Sequence, residues 1–120
     1  MIGVVVPRPI AFVSTISADG VLNLAPYSFF NAVAYDPPTI VFSSSRHAGD
    51  KRKDTLANIE LTGEFVVNVV VDDIAEAMNR TAAEFPTRVS EFDVARLTSA
   101  PSDIVKPPRV AESPVNMDVA

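Results

Sequence analysis

The sequence predicts a mainly β fold with short helices, a small antiparallel β-barrel with helical excursions. Three observations predict it. Runs of β-branched and aromatic residues recur, bounded by Asp-Gly, Gly or Pro turn signals. Two other stretches carry helix caps and apolar residues at helical spacing. The chain is 120 residues long and 48% hydrophobic, which makes residues 1–120 one domain with a core of its own. No internal repeat divides it.

The elements follow in order. Ile10 to Ile16 is β-branched and aromatic, so it reads as a strand. Asp19-Gly20 is a hairpin signal, and Val21 onward returns antiparallel. Pro26 cannot donate to a ladder, which puts it at an edge or a bulge. The segment from Asn23 to Pro38 reads as one strand that Pro37-Pro38 stops. Strict alternation places Tyr27, Phe29 and Asn31 on one face and Ser28, Phe30 and Ala32 on the other. A strand buried for packing alone would be richer in Val, Ile and Leu. Two readings stay open for it: an ordinary sheet strand with a few buried aromatics, or a surface suited to a flat, partly polar ligand such as a flavin.

Thr39 to Ser45 is a third strand that turns polar at its end. Asp54 can cap a helix running to Leu61 and stopping near Gly63, with Leu56 and Ile59 on one face. Glu64 to Val71 is a buried strand. Asp73 and Glu76 have capping-box spacing for a second helix, from Asp73 to Ala82. Four prolines between Pro101 and Pro114 argue against regular structure there. Val110 to Val119 reads as one more strand, interrupted by Pro114 and short of at least one strand neighbour.

Composition excludes several classes. A formal net charge of -5 argues against general nucleic-acid binding. No apolar run approaches the ~20 residues of a membrane span. Met1 to Pro9 has no charged region followed by a long apolar core, so no signal peptide is read there. The chain has no cysteine, hence no disulfide framework and no thiolate metal site. These features suit a cytoplasmic protein.

The chemistry-bearing residues are few. The sole histidine, His47, sits in an Arg46-His47-Ala48-Gly49-Asp50 loop, where a solvated side chain is the ordinary outcome. No Asp/Glu cluster has metal-ligand spacing. So no catalytic side chain and no metal ligand is assigned. Either there is no catalysis, or a cofactor carries the reaction and the protein binds and orients it. One constellation supports the second reading. Four of the ten Lys and Arg residues are Arg46, Lys51, Arg52 and Lys53. They adjoin Ser43, Ser44 and Ser45 at a strand end and Thr55 near a helix start. Hydroxyls, cations and a helix N-terminus together suit a phosphate monoester. A solvated basic loop is the plainer alternative.

As a set, several motifs resemble the flavin reductase-like family. They are Val6-Pro7-Arg8-Pro9-Ile10-Ala11, Ser14-Thr15, Asp19-Gly20, Asn23 to Asn31 and Asp36-Pro37-Pro38. Arg52-Lys53-Asp54-Thr55, Asn58-Ile59, Gly63 to Asn68, Pro107-Pro108-Arg109-Val110 and Glu112-Ser113-Pro114-Val115 continue the match. The resemblance implies an FMN-binding antiparallel split barrel that forms homodimers, with flavin near the subunit interface. By position, Ser28, Phe30 and Asn31 would lie along the isoalloxazine and ribityl chain. Ser43, Ser44 and Arg46 would sit at the strand end near the flavin, and Lys53 and Thr55 would hold the phosphate. The implied activity is hydride transfer from NAD(P)H through flavin to an acceptor.

Family members begin earlier than Met1 and continue past the Glu112 to Val115 segment with strands that complete the barrel. The resemblance therefore implies a partial domain without those C-terminal strands. It leaves two functions in view: an FMN-dependent oxidoreductase, or a non-catalytic flavin-binding or dimerisation module left by truncation.

Overall fold

The computed structural model describes residues 3–44, 50–83, 85–86 and 88–120, with backbone alone at 50–53. The centre is a four-stranded antiparallel sheet in the order β2-β1-β5-β8, formed by β1 (Ala11–Ile16), β2 (Leu22–Tyr27), β5 (Phe65–Asn68) and β8 (Asn116–Val119). A hairpin of β3 (Phe30–Tyr35) and β4 (Pro38–Phe42) forms a second sheet, and β6 (Ser99–Ala100) with β7 (Arg109–Val110) a third. The helices are α1 (Asp50–Thr62), α2 (Asp72–Thr81) and α3 (Glu91–Ala95).

Strand β1 explains the layering. Ala11 to Thr15 are all fully buried, so both faces of β1 are covered. Side chains alternate across a strand, and two cores result. Ala11 and Val13 join Ala25, Tyr27 and Val67 on one face, where Phe30, Ile40 and Phe42 of the hairpin pack against them. Phe12 joins Leu24, Phe92 and Val110 on the other, with Met78 of α2 packed alongside. Tyr27 and Phe42 stand 5.0 Å apart between ring centroids, and Phe42 meets Phe65 edge-on at 5.3 Å. Such pairs add roughly 0.5–1.5 kcal/mol beyond burial.

Buried amides fasten the sheet to its surroundings. Asn68 Nδ2 donates to the Phe12 carbonyl at 2.9 Å, while its Oδ1 accepts from Val110 N at 2.8 Å and Asn116 Nδ2 at 2.6 Å. One side chain on β5 thus ties β1, β7 and β8 together. Helix α1 is fastened in the same way. Asn23 Nδ2 donates to Thr55 Oγ1 at 2.7 Å, and Asn58 Nδ2 donates to Thr15 Oγ1 at 3.0 Å. Thr15 and Asn23 are cross-strand partners, so α1 sits squarely on the β1–β2 pair.

Several expectations hold. The Asp19-Gly20 turn forms, with Gly20 at φ 83° donating to the Ser17 carbonyl. Pro26 lies on β2, an edge strand. Helix α1 ends at Gly63, whose φ of 70° is the left-handed conformation that glycine adopts freely. Among the described residues strand β8 pairs with β5 alone, so it too is an edge.

Others need correction. The segment from Asn23 to Pro38 is two strands, because the chain leaves the central sheet at Ser28-Phe29 and enters the hairpin at Phe30. The single-strand alternation therefore fails there. Helix α1 starts at Asp50, so Asp54 lies inside it and is no N-cap. Helix α2 starts at Asp72 with Val71 as N-cap and no side-chain cap, so Asp73 forms no capping box. Asp72 and Asp73 favour that helix start through its dipole instead. The run Val110 to Val119 divides into β7 and β8, and Glu64 to Val71 shortens to β5.

Candidate functional site

The break at Ser28-Phe29 builds the site. There the chain passes from β2 to β3, and Ser43 N donates to the Phe29 carbonyl at 2.9 Å, closing the hairpin base. Phe30 turns inward onto the core. Phe29 turns outward and is 46% exposed. The segment Val5 to Pro9 runs alongside. Between these three pieces lies a cavity of about 400 Å³. Val5, Pro7, Arg8 and Pro9 form one wall, Ser28 to Asn31 a second, and Val41 with Ser43 a third.

The walls are mostly apolar, with hydroxyls at Ser28 and Ser43 and an amide at Asn31. Asn31 Oδ1 accepts from Ala32 N at 2.8 Å, which fixes the amide at the strand's start. Among the described lining residues Arg8 brings the one charge. Its guanidinium lies 4.8 Å from the Phe29 ring centroid, and its Nη1 donates to the Val5 carbonyl at 3.0 Å.

Four of the anticipated contact residues, Ser28, Phe30, Asn31 and Ser43, are thereby brought to one cavity. Ser44 is the next residue, half-buried and outside the lining. Arg46 and His47 lie outside the described residues, as does the side chain of Lys53, whose backbone is in the first turns of α1. Thr55 is fully buried, and its hydroxyl accepts from Asn23 beneath the helix. From the sequence, Arg8 is named only within a family motif, without a contact, and Phe29 is put on the face of Tyr27. The Pro-Arg-Pro triplet was the available signal, since flanking prolines hold a cation in extended backbone. Among the described residues no three His, Asp or Glu groups gather as a metal site. No helix among them is long and apolar enough to cross a membrane.

The cavity suits a flat heteroaromatic ring. Its volume lies within the range of about 300–1,000 Å³ common for cofactor sites, and apolar walls with a few fixed polar groups are what such a ring requires. Comparison with known proteins gives the family. Residues 3–120 match the flavin reductase like domain, and the chain belongs to that family. An uncharacterized protein of Aquifex aeolicus is 48% identical over 118 residues, covering 98% of this chain and 60% of its own length. The structure of nitrilotriacetate monooxygenase component B from Bacillus cereus superposes with a TM-score of 0.89 at 45% identity, over 95% of this chain and 56% of that one. The 2-nitrobenzoate 2-nitroreductase of Pseudomonas fluorescens gives 0.84 at 39% identity, over 97% and 54%. The architecture is that of split-barrel flavin reductase folds. The chain spans somewhat over half the length of these relatives.

Proposed function

We propose that this chain is the FMN-binding part of an oxidoreductase that takes hydride from NAD(P)H and delivers electrons to an acceptor. The observation that carries this reading is the meeting of Ser28, Phe30, Asn31 and Ser43 around one apolar cavity at the β2–β3 joint. Bound FMN would supply the two-electron chemistry, so the protein needs no nucleophile of its own. Its own residues bind and orient. Ser28, Asn31 and Ser43 offer hydrogen bonds at the ring and ribityl edges, and the hairpin base shields the ring from water. Ser44 and Arg46 are proposed as further flavin contacts from the family resemblance alone. Lys53 belongs at the phosphate end, in the first turns of α1, where helix N–H groups favour an anion. Thr55 supports that end from below by seating α1 on Asn23.

A homodimer in the cytoplasm completes the proposal. The hairpin exposes Val33 at 61% and Tyr35 at 92%, an apolar face that a second subunit would cover. Small-molecule flavin is then the partner, with no nucleic acid and no membrane. The test is a visible absorbance spectrum of the purified chain after incubation with FMN and gel filtration. Flavin bands that co-elute with protein and bleach anaerobically on adding NADH or NADPH are the expected result. Bands that persist after both nucleotides would leave a binding module only. No bands would refute the reading.

A further inference from the structure

Arg8 is held in place from two sides. The Phe29 ring carries its guanidinium at 4.8 Å, and the Val5 carbonyl takes a hydrogen bond from Nη1 at 3.0 Å. Pro7 and Pro9 restrict the backbone around it. A guanidinium keeps its charge at any physiological pH. A fixed cation beside an apolar cavity acts through a lower effective dielectric than one in water. It therefore discriminates strongly between ligand states that differ in charge.

We propose that Arg8 sets the redox preference of the cavity, by holding the reduced, anionic state of the bound ring system more tightly than the neutral oxidised state. This rests on the flavin reading above. The charge balance is simple. Hydride from NAD(P)H carries two electrons and one proton, the nucleotide leaves as NAD(P)⁺, and the ring gains one negative charge. Arg8 offsets that charge without any proton from solvent. Phe29 is the positioning residue, because its ring fixes where the guanidinium lies.

The experiment compares the full chain with Arg8→Gln, Arg8→Lys and Phe29→Leu, each reconstituted with FMN at mildly alkaline pH. Affinity for oxidised and for chemically reduced FMN is measured separately, together with the midpoint potential in a dye-coupled titration. Arg8→Gln is expected to lower the ratio of reduced to oxidised affinity tenfold or more, a fall of about 30 mV per tenfold for a two-electron couple. Arg8→Lys should keep most of the ratio, since it keeps the charge. Phe29→Leu should lose part of it, and it carries the test if Arg8→Gln does not fold. Equal weakening of both redox states, or an unchanged ratio, would overturn the proposal while leaving flavin binding intact. A wild-type chain that takes up no FMN would overturn both this proposal and the flavin reading.

Discussion

Thr55→Val replaces a hydroxyl by a methyl of nearly the same volume, so it opens no cavity. Its effect on Asn23 is the loss of one acceptor. Asn23 Nδ2 lies 2.7 Å from that acceptor, and both residues are buried at the seam between α1 and the β1–β2 pair. A buried donor left without a partner costs about 1–3 kcal/mol. For a chain of this size a loss near 2 kcal/mol lowers Tm by roughly 6–12 °C. Urea unfolding should show a lower midpoint at constant slope. The double variant Asn23→Leu/Thr55→Val removes both polar partners, and it should recover part of the loss, because replacing both ends of a buried hydrogen bond is nearly neutral. Binding supplies the second half of the test. If Thr55 acts by seating α1, the single variant weakens FMN and riboflavin by the same factor. A stability loss below about 0.5 kcal/mol, which is the range of surface substitutions, would refute the seam argument. Selective loss of FMN would place the hydroxyl on the phosphate instead.

Asn68→Leu strips four hydrogen bonds that join β5 to β1, β7 and β8, so it should cost about 3 kcal/mol or more in urea unfolding. Gly63→Ala puts a Cβ on a residue at φ 70°, with an expected loss of roughly 1–2 kcal/mol by the same assay. Lys53→Ala should weaken FMN on the order of tenfold and riboflavin little, since a charge-assisted contact contributes about 1.5–3 kcal/mol; equal losses in calorimetric titration would contradict the phosphate assignment. Sedimentation should show a dimer, and Tm should rise with protein concentration.

Local chemistry made much of this fold legible. Asp19-Gly20 announced its hairpin, Gly63 announced the end of α1, and Pro26 announced an edge. Each of these is a backbone constraint that acts within a few residues. The starts of the helices were less legible. Asp54 was read as the cap of the first helix, yet α1 begins at Asp50, where Lys51, Arg52 and Lys53 oppose the dipole of a helix start and so hide it. Helix α3 is too short to show periodicity, and only Ser90, whose hydroxyl accepts from Phe92 N, marked it. Of the site, Ser28, Phe30, Asn31 and Ser43 were named by position from the family resemblance, and the structure gathers these four around one cavity. Arg8 was assigned no contact, because its partner is a ring twenty-one positions away in the chain.

Phe29 and Phe30 show why the site lies where it does. In one unbroken strand Phe29 would share a face with Tyr27, and Tyr27 is buried in the core. The chain instead breaks at Ser28-Phe29, so Phe30 anchors the hairpin on the core and Phe29 faces out beneath Arg8. A turn of this kind exposes backbone and side chains that a ladder would consume, while rigid strands on both sides hold them still. Binding residues gather at such joints for that reason. The cavity is therefore a consequence of the strand break itself. A substitution that restored continuous pairing through Ser28 and Phe29 would remove the cavity and pull Phe30 off the core.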